Sequence, residues 1–126
     1  MSQILPIVTD LLANDKRGTL LIQQPEVHLH PRAQAAFGKL IFEAQRAGQM
    51  LVIETHSDFI INRYRIEQSK QVVQSECTIF FFETDPKTFV NVSHEISVTN
   101  VGNLNGAPDS YRNFFISEEI DAFEYL

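Results

Sequence analysis

Two short apolar runs, Thr19-Leu20-Leu21-Ile22 and Met50-Leu51-Val52-Ile53, constrain this chain more than anything else in it. Unbroken apolar runs of this length read as strands covered on both faces, the pattern of a parallel sheet. Between them Ala33, Ala36, Phe37, Leu40, Ile41 and Ala44 recur at helical spacing and form one apolar stripe. Pro31 suits the first turn of that helix, where its missing N–H costs nothing, and Gly48 stops it. Strand, helix and strand within about 35 residues make a βαβ unit, expected to be right-handed with parallel strands.

The flanks extend this core. Ile4, Leu5, Val8, Leu11 and Leu12 have a helical period that ends in Asn14-Asp15-Lys16-Arg17-Gly18. Ser57 is placed to cap a helix carrying Phe59, Ile60, Ile61 and Tyr64. After that the pattern changes. Thr78 to Phe82 reads as a third strand, with the Phe80-Phe81-Phe82 run expected in the core, and Asp85-Pro86-Lys87 as a turn. Val90, Val92, Ile96 and Val98 alternate with polar residues, a half-exposed strand that completes a hairpin and puts His94 on its buried side. Gly102, Gly106 and Pro108 read as a loop, and Ser117 to Leu126 as a short acidic helix with a solvated face.

Charge narrows the partners. The chain has 126 residues, a net charge of -6 and ten Lys and Arg, with no basic cluster beyond Lys16-Arg17 and Arg63/Arg65. A stand-alone nucleic-acid binder carries a basic face, so direct DNA binding by this piece is disfavoured. Cys77, the single cysteine, sits in an apolar run and reads as a small buried hydrophobe. No stretch approaches the roughly 18 apolar residues of a membrane span. Met1-Ser2-Gln3 lacks the basic-then-apolar form of a signal peptide, so the cytoplasm is expected.

In open parallel sheets, ligands bind beyond the carboxyl ends of the strands. Those ends carry Gln23-Gln24-Pro25-Glu26 with Val27-His28-Leu29-His30-Pro31, and Glu54-Thr55-His56-Ser57-Asp58. Polar groups crowd both tips while the strands are bare hydrocarbon. By residue type alone, His28, His30, His56 and Asp58 make four ligands at adjacent tips, a zinc or iron constellation. His56, between an apolar strand and an N-cap, also reads as a structural histidine, and the two glutamines as ordinary strand ends.

The same residues carry a family resemblance. Leu20 through Pro31, reading Leu-Leu-Ile-Gln-Gln-Pro-Glu-Val-His-Leu-His-Pro, resembles the extended Walker B and D-loop segment of ABC-type ATPases found in OLD-like nucleases and bacterial anti-phage systems. Ile53-Glu54-Thr55-His56-Ser57-Asp58, with Asn62-Arg63, resembles their switch-histidine segment. Ser2-Gln3-Ile4-Leu5-Pro6 is similar to the tail of their signature motif. Gly102-Asn103-Leu104, Ala107-Pro108, Tyr111-Arg112, Phe114-Phe115 and Glu118-Glu119 resemble the ending of the DUF3696-like ATPases. The resemblance implies an α/β fold: a partial P-loop NTPase sheet of RecA/ABC type, with a βαβ unit followed by a hairpin and a short C-terminal helix. It implies one domain over residues 1–126, the C-terminal portion of an ATPase core, with Walker B, D-loop and switch histidine in 1–75. The hairpin and family-specific ending would occupy 76–126. ATP with Mg²⁺ would be the cofactor. Gln23 takes the position of the Mg²⁺-associated acidic residue, and Gln24 that of the carboxylate that orients or deprotonates the attacking water. His56 would sense the γ-phosphate, and His30 lies in the D-loop, which crosses a dimer interface in this family. Glu26 joins the catalytic group, and Ser57 the nucleotide-binding one.

Two departures qualify that expectation. An amide oxygen is a poorer Mg²⁺ ligand than a carboxylate. A glutamine cannot accept a proton as a general base, although it can still orient a water. Glu26 and Glu54 are nearby carboxylates that would compensate. The phosphate-binding loop itself, Gly-x-x-x-x-Gly-Lys-Ser/Thr, has no counterpart in these residues. Around Gly38-Lys39, Ala33 stands at the first Gly, Leu40 at the Ser/Thr, and the stretch is mid-helix. The chain is therefore expected neither to bind nucleotide tightly nor to hydrolyse it alone. Its partner would be a Walker A-bearing half or a full-length ATPase, in a homo- or heterodimer, unless the chain is a truncated reading frame. A metal-dependent hydrolase and a non-catalytic pseudo-ATPase module are the other classes left open.

Overall fold

In a computed structural model of the chain, the structure describes residues 4–13, 18–71, 73 and 76–113. The acidic helix expected over 117–126 lies outside the described residues. The chain forms two compact units, Met1–Lys70 and Gln71–Leu126.

The first unit is the βαβ unit and its flanking helices. Helix α1 (Ile4–Leu12) precedes strand β1 (Thr19–Gln23), helix α2 (Pro31–Arg46), strand β2 (Met50–Glu54) and helix α3 (Asp58–Ser69). Strands β1 and β2 pair in parallel from Thr19↔Met50 to Gln23↔Glu54. Helix α2 begins at Pro31, as its fixed φ favours, and its N-cap is His30, whose Nδ1 accepts from Arg32 N. Helix α3 is capped by Ser57, whose Oγ accepts from Ile60 N. Helices α2 and α3 pack together, with the Phe42 ring edge-on to Tyr64 at 5.3 Å, and Phe37, Ile41 and Ile60 are also buried.

One expectation about the strands is corrected. They are covered on one face, not two: Ile22 is 4% exposed while Leu21, next to it, is 73% exposed. Successive side chains of a strand point to opposite faces, and a single crossover helix can cover only one of them. Leu21, Met50 and Val52 form the open apolar face, and among the described residues neither outer edge of the pair has a neighbouring strand. Unpaired edges and bare apolar surface favour association. We expect the purified chain to elute from gel filtration as oligomers, and Leu21→Ser with Val52→Ser to shift it towards monomer. A monodisperse wild-type monomer would contradict this.

The second unit is an antiparallel sheet. Strand β3 (Thr78–Thr84) pairs with β4 (Asn91–Val98), which pairs with β5 (Leu104–Asn105), a short strand inside the stretch expected to be loop. Gly102 and Gly106, with φ of 81° and 86°, turn the chain on either side of it. Asp85 Oδ1 accepts from Lys87 N at 2.8 Å and organises the hairpin turn. The Phe80-Phe81-Phe82 run is not all core. Phe81 meets Tyr111 edge-on at 5.2 Å, whereas Phe80 and Phe82 are 59% and 73% exposed beside Glu95 and Ser93. Strand alternation overrides the hydrophobicity of three consecutive rings. His94 is half-buried and bonds Glu83 Oε1 through Nε2 at 2.9 Å. Ser110 chiefly, then His94, holds the Glu83 carboxyl below its ordinary range by hydrogen bonding.

Candidate functional site

Because β1 and β2 are adjacent and in register, their polar tips emerge side by side. The ladder runs one step past the last pair: Gln24 N donates to Glu54 O at 2.8 Å. The chain then leaves the sheet through Pro25, which is buried, and a turn closed by Leu29 N to Glu26 O at 2.9 Å. Gln24 and His28 have φ of 45° and 65°, the left-handed region that is uncommon outside glycine, although histidine enters it more readily than glutamine does. Such conformations cost on the order of 1 kcal/mol and cluster at functional sites.

Glu26 reaches from this turn to the other tip. Its Oε2 accepts from Thr55 Oγ1 at 2.8 Å and its Oε1 from His56 N at 2.6 Å, bonds between residues 29 and 30 positions apart. Thr55 Oγ1 in turn accepts from Ser57 N at 3.0 Å. A second bridge runs through α2: Gln34 Nε2 donates to Leu29 O at 2.9 Å, and Gln34 Oε1 accepts from the Ser57 hydroxyl. The loop after β1 is thus bonded to the segment after β2 by charged and neutral links alike.

The remaining candidates divide by what their side chains do. Gln23 and Glu54 are register partners, both exposed, on the open face of the sheet. Among the described residues, the side chains of Gln23, Gln24 and Glu54 and the ring of His56 make no hydrogen bond, so these groups remain available to a ligand. The Ser57 hydroxyl donates to Gln34 and accepts at the α3 cap. His30 uses Nδ1 to cap α2, and Asp58 accepts from Asn62 Nδ2 at 2.8 Å.

His28, His30, His56 and Asp58 are not gathered into a metal cage. Among the described residues no three His, Cys, Asp or Glu side chains converge. Two of the four have other work: His30 caps α2 through Nδ1, and Asp58 holds the Asn62 amide. The sequence did not single out Gln34, and it marked Thr55 only as part of the polar tip, because the bridging role of each exists only across the junction of two distant segments.

Comparison with known proteins bears on the same stretch. Residues 1–62, just under half of the chain, match the family model described as "AAA domain, putative AbiEii toxin, Type IV TA system". A curated relative, the OLD nuclease of Thermus scotoductus (strain ATCC 700910 / SA-01), is 37% identical over 59 residues, 46% of this chain. The chain spans about a tenth of that protein's length, 11%. No solved structure matches. Together these likenesses support a P-loop ATPase-like family, and the matched stretch contains both strand tips. Among the described residues no helix is long and apolar enough to cross a membrane.

Proposed function

We propose that this chain acts as the C-terminal half of an ABC-type ATPase core, in a defence or DNA-related ATPase, and that a Walker A-bearing half completes its nucleotide site. The observation that carries the reading is the meeting of the two tips. The Walker B-like segment ends at Gln23-Gln24 directly beside Glu54, and Glu26 bonds the backbone of His56. A second support is the open face of Leu21, Met50 and Val52, which ends at Gln23 and Glu54. An element laid on that face would bring its leading loop to the tip.

Gln23 and Glu54 present oxygen donors, the kind that suits Mg²⁺, which is commonly held by one or two carboxylates together with substrate phosphates. When bound, Mg²⁺ would offset phosphate charge there. Gln24 would orient a water through its amide, as a glutamine does in small GTPases, and His56 would face the terminal phosphate. Without a carboxylate at 24, turnover is slow, which suits a nucleotide-dependent sensor or switch.

Co-expression with a Walker A-bearing half, followed by titration with a fluorescent ATP analogue, tests the proposal. The complex should bind the analogue with Mg²⁺ and the chain alone should not. Tight binding by the chain alone, or none by the complex, would overturn the reading.

A further inference from the structure

We infer that Glu26 is a positioning residue that couples the loop after β1 to the switch histidine, and is not a substitute for the missing catalytic carboxylate. The inference rests on the function proposed above and assigns one residue's task within it. Both carboxylate oxygens are engaged, Oε2 by the Thr55 hydroxyl at 2.8 Å and Oε1 by His56 N at 2.6 Å. A group whose two oxygens are held in this way is poorly placed to take a proton from water. Glu54, by contrast, is exposed and makes no side-chain hydrogen bond among the described residues.

What Glu26 does instead follows from where it is anchored. It belongs to the turn closed by Leu29 N to Glu26 O, one residue short of the His30 cap that starts α2. Its other end fixes the main chain of His56 and the side chain that receives Ser57 N. Charge-assisted bonds are short and strong, and two from one carboxylate fix direction as well as distance. Displacing this turn therefore displaces His56. A partner pressing on the residues around His28 and His30 would have its position reported at the phosphate sensor through this link.

The test uses the full chain and hydrogen exchange read at single residues over 24–60. Glu26→Ala should speed exchange at His56 N–H by about tenfold or more, the loss expected for a bond to a charged group. Glu26→Gln, which keeps one acceptor oxygen, should fall between it and wild type. Gln24 N–H and Ile60 N–H, bonded to Glu54 O and Ser57 Oγ, serve as references and should not change. No change at His56, or a uniform rise through β1 and β2, would overturn the inference, the latter because Glu26 would then merely support the fold. In the completed assembly Glu26→Ala should lower kcat with KM for ATP unaltered, and an unaltered kcat would also overturn it. An assembly that binds no nucleotide refutes the proposed function instead and leaves the exchange result standing.

Discussion

Replacing Gln24 with glutamate is expected to raise steady-state ATP turnover of the completed assembly by about 10²-fold, within the range that a positioned general base contributes. The substitution changes almost nothing else. Glutamine and glutamate have the same shape and meet the same backbone cost at φ 45°, and the bond from residue 24 N to Glu54 O is made by the main chain. Stability should therefore move by no more than about 0.5 kcal/mol. The gain should appear in kcat, since the added carboxylate helps only the transition state. An unchanged rate, measured in an assembly that binds ATP normally, would mean that residue 24 is not at the water.

Gly38→Ala is expected to cost the fold about 2 kcal/mol, against the usual gain of about 1 kcal/mol from that exchange inside a helix. A Cβ at 38 would lie 2.5 Å from Ile60 O and 2.9 Å from Arg63 Cβ. The first of these is main chain and cannot rotate away, so α2 and α3 must separate. Overfilling a packed core costs about 1–3 kcal/mol, and separation also loosens the Phe42–Tyr64 contact at 5.3 Å. A melting temperature lower by roughly 5–15 °C should follow for a unit of this size. Scanning calorimetry that finds the variant as stable as wild type would refute the close approach of the two helices. The prediction also explains Gly38-Lys39, whose glycine lets the two helices touch and belongs to no phosphate loop.

The elements were legible because their causes are local. Pro31 and Gly48 bracket α2, Ser57 caps α3, and the alternation from Val92 to Val98 marks β4. Candidate site residues were legible for a related reason: unbroken hydrocarbon strands ended abruptly in Gln23-Gln24 and Glu54-Thr55-His56. Burial was read less well. Unbroken runs suggested two covered faces for β1 and β2 and a core place for Phe80 and Phe82, yet Leu21, Val52, Phe80 and Phe82 lie open. Composition shows that a residue suits burial, but whether something covers it depends on elements elsewhere.

Sequence alone determined the parallel βαβ unit, the hairpin, the polar tips and the absence of a phosphate loop from these residues. Periodicity, caps and motif spacing are properties of neighbouring residues. Only the tertiary structure decided that Glu26 spends both oxygens on the other tip, that Gln34 links Leu29 to Ser57, and that no three of the four candidate metal ligands converge. Those outcomes depend on the register of β1 against β2 and on which atoms each helix start consumes. Both are settled by packing between segments some thirty residues apart, which no local pattern records.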